Sequence, residues 1–415
     1  MWTNRTPILM LLSSVATAAL MSQASALEAQ AFVDRVATVW KTQGYDLQFG
    51  PATLDGDTIT VDGVTVTIID PVEVSTDPMV LDTEITFSGV SEGADGSYTA
   101  QTITIPDIDS DFSADPVGHI TLSDIRLNGF YLPGGDTVSA IESMQWLESA
   151  STGPLSITRD GEEVIAVESM ETVTTFNPSQ NSAELIGLDS SFAINGITVD
   201  LSTVSEEDPE AGAIIDALGL TSIAGNISSD MTWTMADGQA TINQFLFDFA
   251  DIGALDLRAD VTGLTPAVLD QIMAMQTDMA ADGEMTDEMA QAQMMSGMAI
   301  MQGVSIVGAS VRYDDASLAG KLLDFFAAQS GADRARFVAG LKSTLPMMVG
   351  QSGIPALKDI VVPPVEAFLD NPESLEIRIA PPSPTSVLVV MAAAANPAGL
   401  IKALGLVIEA NTPAQ

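Results

Sequence analysis

The chain has no cysteine among its 415 residues. Disulfides, thiolate metal sites and a lipid-linked cysteine are therefore excluded, and stability has to come from burial. Histidine is almost as scarce, with His119 alone. One imidazole does not make a zinc site, which takes three or four His, Cys or carboxylate ligands, so His119 reads as a structural side chain in a strand, with a lone general base as the other reading.

Positive charge is thin as well. There are 14 Lys and Arg against 56 Asp and Glu, a net charge of −42. Such a surface repels nucleic acid and anionic headgroups, so docking to an anionic membrane would rest on apolar area or divalent cations. Two catalytic signatures are also missing: a phosphate loop ending in Gly-Lys-Ser/Thr, and His-Glu-x-x-His. These absences argue against the common phosphate-loop nucleotide enzymes and zinc hydrolases. The sequence is read as non-enzymatic, with no cofactor.

Long apolar runs are lacking too. The run Ile8–Leu20 is shorter than the roughly 20 residues that cross a bilayer, and Thr385–Ile408 is divided by Asn396-Pro397 and Lys402. The first of these runs follows Arg5 and precedes Ala24-Ser25-Ala26, the pattern of a cleavable secretory signal peptide. Residues 1–26 are read as that signal, cut after Ala26, with a periplasmic product that has no integral membrane span. Removing Arg5 takes away no acid and leaves the product still more negative.

What is present is apolar patterning, with 46% hydrophobic residues. Phe32, Val33, Val36, Val39 and Trp40 recur at helical spacing and mark a short amphipathic helix that caps a sheet. From Tyr45 to about Thr262 the period becomes two. Asp62-Gly63, Asp160-Gly161, Asp237-Gly238 and Asn195-Gly196 are read as hairpin turns between alternating strands. Helical insertions are expected at Thr137–Leu147 and Pro209–Leu218. After Thr265-Pro266, an N-cap followed by proline, the pattern turns helical to about Met301. A strand at Val304–Tyr313 follows, then helices near Ser317–Gln329, Ala332–Thr344 and Pro364–Leu369, and strands at Leu375–Ile379 and Leu404–Ala410. The expected fold is α+β, an elongated, curved antiparallel meander with helices on one face and a more helical C-terminal part. The units are residues 27–264 (β-rich), 265–303 (Met-rich helical) and 304–415 (α+β).

Three groups carry candidate chemistry. Asp107, Asp109 and Asp111 have the alternate spacing that opens a calcium loop, but Phe112 and Gly118 stand where an EF-hand needs glycine and glutamate, so a solvated loop is the favoured reading. Met273–Met301 is rich in methionine. Met285 and Met289, and Met294 and Met298, are four apart on one helix face; the readings are packing, an adaptable partner surface, or soft ligands for Cu(I). Phe245, Phe247 and Phe249 alternate in a strand and are the candidate apolar groove.

The segments Leu218-Gly219-Leu220, Ile223-Ala224-Gly225-Asn226-Ile227, Asp251-Ile252-Gly253-Ala254-Leu255-Asp256-Leu257, Thr262-Gly263-Leu264 and Val311-Arg312-Tyr313-Asp314-Asp315-Ala316-Ser317-Leu318 resemble uncharacterised exported proteobacterial proteins of the YdgA-like family. They are more remotely similar to AsmA-like envelope proteins. The resemblance implies a curved antiparallel sheet whose apolar face handles lipid, and it implies no catalytic residue. The chain is much shorter than AsmA-like proteins and has a cleavable signal in place of their anchor. The expected partner is a lipid or other apolar ligand, or else another envelope protein for which the chain is a structural or assembly factor.

Overall fold

A computed structural model describes residues 27–41, 44–69, 78–114, 116–135, 147–178, 185–204, 208–280, 287–394 and 397–413. The signal segment lies outside them, as does the expected helix at Thr137–Leu147 except for Leu147.

Helix α1 (Ala29–Lys41) leads into β1 (Tyr45–Phe49), β2 (Ala52–Asp55), β3 (Thr58–Ile68), β4 (Met79–Ser88), β5 (Ser91–Glu92) and β6 (Tyr98–Ile105). Then come β7 (Ile108–Ala114), β8 (Val117–Leu122), β9 (Ile125–Leu132), β10 (Ser149–Thr152), β11 (Leu155–Arg159), β12 (Glu162–Val167), β13 (Ser169–Pro178) and β14 (Leu185–Asp200). Helix α2 (Pro209–Leu218) precedes β15 (Ser222–Thr234), β16 (Gln239–Phe249) and β17 (Gly253–Thr262). Helices α3 (Pro266–Ala280) and α4 (Asp287–Gly303) come before β18 (Ser305–Asp315). The chain closes with α5 (Leu318–Gln329), α6 (Arg334–Gly350), α7 (Pro355–Asp370), β19 (Ser374–Ile379), β20 (Thr385–Ser386), α8 (Val387–Ala394), α9 (Pro397–Leu404) and β21 (Val407–Ala410).

The strands join one 21-stranded sheet. The expected α+β class with an extensive antiparallel sheet is what the structure shows, and the helices concentrate toward the C-terminal half. From β13 to β19 the order is a meander apart from the step over helices: β13–β14–β15–β16–β17–β18–β19, then β21. Because β17 pairs with β18 along their length, the sheet runs unbroken across Thr265, and α3 and α4 rise between neighbouring strands.

Helix α1 forms because its apolar residues fall on one stripe, and that stripe is buried: Phe32, Val33, Val36 and Val39 are the buried residues of the helix. They cover Ile59, Val61, Phe87, Tyr98 and Leu132 on the sheet. The Phe32 ring meets Phe87 edge-on at 4.9 Å and Tyr98 at 5.4 Å, geometry that adds to area burial. Helix α2 has the expected bounds. Asp208 caps it by accepting from the Glu210 and Ala211 amides, and Gly219, at φ 64°, ends it, the usual pairing of an acidic N-cap with a left-handed glycine.

Two of the four turn readings need correction. Asp160-Gly161 is a two-residue hairpin with φ of 49° and 84° joining β11 to β12, and Asp237-Gly238 lies in the β15–β16 connection. Asp62-Gly63 and Asn195-Gly196 instead sit inside β3 and β14, where the register shifts. Only the glycine is left-handed at each of these, Gly63 at φ 85° and Gly196 at φ 63°. A type I′ turn needs two consecutive positive φ values, whereas a bulge needs one. The bulges have a purpose. At Gly63 strand β3 changes partner from β2 to β1, and at Gly196 strand β14 changes from β13 to β12.

Other differences are of extent. The long helix expected after Thr265 is two helices, α3 and α4, and the helix expected near Pro364 is α7, which holds Pro363 and Pro364 in its interior. The apolar stretch at Val387 is helical, and α9 occupies the start of the expected last strand. Strand β13, unread in the sequence, is a full partner of β14.

Candidate functional site

Residues directly opposite one another in antiparallel strands share a face, so the register turns the meander into rows. Ile194, Ile227, Phe247, Leu255, Tyr313 and Leu375 form one row. Phe192, Ser229, Phe245, Leu257, Val311 and Ile377 form the next, and Met231, Ile242, Ala259, Ala309 and Ile379 the one beyond. A further row runs Phe176, Leu188, Trp233, Ala240, Val261 and Ile306. Period-two patterning has therefore built an apolar face that is broken only by Ser229 across β15–β19 and that gives way to Ser190 and Thr174 beside Met231 in β14 and β13.

That face is unevenly covered. At one end Leu188 and Trp233 are buried, with Leu269 of α3 packed on them and the Trp233 indole N–H donating to the Leu264 carbonyl at 2.9 Å. At the other end the Tyr313 hydroxyl lies 2.8 Å from both the Ile252 carbonyl and the Asp315 carboxylate. Between these ends Met231, Ile242, Val311 and Ile377 are 37%, 39%, 44% and 43% exposed.

All three candidate groove phenylalanines stand on this face and are half-buried. The rings of Phe245 and Phe247 are 4.7 Å apart. Phe249 lies against Gly225, where an added Cβ would come within 2.5 Å of the ring. The most open part of the face lies beside the phenylalanines, at Ile242, Val311 and Ile377, which the sequence reading did not single out.

The methionine set is divided. Met285 lies outside the described residues, and Met289, Met294 and Met298 fall within α4. Met294 and Met298 are exposed, as is Met295 between them.

The three aspartates do not converge. Asp109 and Asp111 turn to His119, with Asp109 Oδ1 3.2 Å from Nε2 and Asp111 Oδ1 2.8 Å from Nδ1. Asp107 instead accepts the Asp124 amide at 3.0 Å. No group of three or more His, Cys, Asp or Glu able to hold a metal is found among the described residues.

The opposite face of the same strands is polar. Asp256, Arg312 and Glu376 lie in one row and Arg258, Ser310 and Arg378 in the next. Asp256, Arg312 and Glu376 are only 9%, 8% and 9% exposed. Arg312 donates to Asp314, to Glu376 Oε2 at 3.5 Å and to the Thr412 carbonyl at 2.7 Å. The Asp314 hydrogen bond holds the Arg312 guanidinium above its ordinary pKa although burial opposes it. The sequence reading missed this network.

A family model described as an uncharacterized protein matches residues 246–411. No curated protein matches the chain. The matched stretch begins within β16 and contains Phe247, Phe249 and all six residues of the two polar-face rows. Among the described residues no helix is long and apolar enough to cross a membrane.

Proposed function

We propose that this chain is an exported, non-enzymatic envelope protein that binds an apolar ligand, such as a lipid acyl chain, along the apolar face of strands β14–β19. The observation that carries the reading is the exposure of Met231, Ile242, Val311 and Ile377 in the middle of that face. Apolar side chains contiguous across several strands and open to solvent are what a ligand groove or an interface presents. The net charge of −42 disfavours an anionic surface as the other half of the contact and leaves apolar area to supply the affinity. The resemblance to YdgA-like and AsmA-like envelope proteins agrees with this reading, and periplasmic residence follows from the signal pattern at residues 1–26.

The test is native mass spectrometry of protein purified from envelope extract, followed by extraction and identification of co-purifying lipid. Stoichiometric lipid on the parent chain, lost in Ile242→Asp and Val311→Asp, is the expected result. Lipid-free parent protein, or equal lipid on both variants, refutes the reading.

A second reading has its own observation. Met294, Met295 and Met298 are exposed on α4, and flexible thioethers suit an adaptable protein contact. In this case the chain acts as an assembly factor and the sheet is scaffold. Cross-linking from residue 295 to a single envelope protein, with no lipid bound, is the result that favours it.

A further inference from the structure

The polar face holds a candidate site independent of the apolar one, since it lies on the other side of the same strands. Three of the chain's 14 Lys and Arg meet there, beside Asp256, Asp314 and Glu376. Charges alternate along the first row, Asp256–Arg312–Glu376. In the second row Ser310 stands between Arg258 and Arg378, where alternation would call for an acid. The cavity along these rows measures about 320 Å³.

Both arginines of the second row are held by neighbouring acids. Arg258 donates to Asp256 Oδ2 through Nε and Nη2, and Arg378 donates to Glu409 through Nη2 at 3.3 Å. Two hydrogen-bonding positions stay open. The donors on Asp256, from Gln244 and Arg258, all land on Oδ2, and the buried Oδ1 has no partner. Arg378 Nε is likewise buried without a hydrogen bond, with Glu376 Oε1 3.9 Å away. Buried polar atoms are ordinarily satisfied, so an orphan acceptor and an orphan donor on two side chains that line one cavity mark a missing complement.

We propose that this cavity takes a small zwitterion, its oxyanion over Ser310 between Arg258 and Arg378 and its ammonium donating to Asp256 Oδ1. A simple anion would leave Asp256 Oδ1 unmet and would face the repulsion of a chain carrying −42. A simple cation would leave Arg378 Nε unmet and would be drawn to any acidic part of the surface. A molecule neutral overall with both charges escapes the long-range repulsion and satisfies both atoms. Reach also fits: β17 and β19 are two strand spacings apart, roughly 10 Å, a gap that an aspartate, an arginine and an ammonium–oxyanion pair span together. The planar guanidinium fork suits a carboxylate or phosphate.

Isothermal calorimetry and thermal unfolding of the full chain test the proposal with a panel of free neutral amino acids, glycerophosphoethanolamine, acetate and ethylammonium. At least one zwitterion is expected to bind saturably and raise the unfolding midpoint, while acetate and ethylammonium do neither. Ser310→Leu, which fills the cavity without removing a charge, should weaken binding by about tenfold or more, as should Arg378→Gln, which removes a charge-assisted contact. Circular dichroism checks each fold, and should Arg378→Gln unfold, Ser310→Leu alone carries the test. Binding of amino acids alone supports a free-solute site, and binding of glycerophosphoethanolamine alone supports a lipid-headgroup site. Absence of zwitterion binding, or equal binding to Ser310→Leu, overturns the proposal and leaves a cross-strand ladder with solvent in its gap.

Discussion

Arg312→Ala is expected to be among the most damaging single changes in the C-terminal half of the sheet. The guanidinium is 9% exposed in its side chain and faces Glu376, whose side chain is 11% exposed, and Asp314, at 41%. Removing one partner of a buried ion pair strands the other, at a cost of about 3–5 kcal/mol. Asp314 is open enough to be resolvated, so its share resembles that of a surface pair, about 0–1 kcal/mol. Glu376 keeps Arg378 at 3.9 Å, which moves the expectation to the lower end, about 3 kcal/mol. That is a large part of a typical stability of about 5–15 kcal/mol. The loss includes the tether from Arg312 to Thr412, just after β21. Urea unfolding followed by circular dichroism measures it as a fall in midpoint at unchanged slope. The double variant Arg312→Met/Glu376→Leu should recover most of the loss, because apolar replacement of both partners removes the stranded charge. A cost below about 1 kcal/mol for Arg312→Ala, or a double variant weaker than Arg312→Ala, would refute the reasoning.

Three further outcomes are expected. Phe32→Ala empties the fully buried centre of the α1–sheet contact and should cost about 3–5 kcal/mol by urea unfolding, with near-ultraviolet dichroism from Tyr98 altered. Burial, then the hydrogen bond to Asp315, pushes the Tyr313 hydroxyl well above its ordinary pKa. Its contribution is therefore fully present below the unfolded value near 10 and is lost as pH rises further, because the unfolded chain ionises first; Tyr313→Phe should flatten the fall in stability above that pH and remove a late-titrating tyrosinate signal at about 295 nm. Gly63→Val places a β-branched side chain at φ 85° with its Cβ 3.2 Å from the Leu81 carbonyl, and should destabilise by more than the roughly 1 kcal/mol of an ordinary glycine replacement, against a smaller effect for Asp57→Asn in the exposed turn nearby.

Local features were legible wherever one segment carries its own signal. The stripe Phe32, Val33, Val36 and Val39 specifies α1 without reference to anything distant, and Pro209 with Gly219 fixes both ends of α2. The Asp-Gly and Asn-Gly pairs were informative only in part. They announce a glycine free to take positive φ, but whether one residue or two will be left-handed depends on which strand lies alongside, and at Gly63 and Gly196 a change of partner decided it. Pro363 and Pro364 misled for a related reason. Proline marks a helix start when nothing precedes it, whereas here Pro355 already occupies the first turn.

The candidate sites depend on register, which period-two patterning does not encode. Phe245, Phe247 and Phe249 are visible as alternation in one strand. That Ile242, Val311 and Ile377 extend the same face, and are its open part, follows only once β16, β17, β18 and β19 are aligned. The polar face is the stronger case. Asp256, Arg312 and Glu376 each look like an ordinary solvent-facing position between apolar neighbours, and separately each would be one. Alignment places them side by side and buries them, while Val311 and Ile377, the apolar neighbours, face solvent. Over these strands the sheet buries one row of charges, Asp256–Arg312–Glu376, and leaves aliphatic residues of the opposite face open, a local inversion of the usual assignment of faces. Core formation does not call for that inversion on either side, so both faces are sites to be tested with ligands, and the two families of variants, Ile242→Asp with Val311→Asp on one side and Ser310→Leu on the other, should separate without affecting each other.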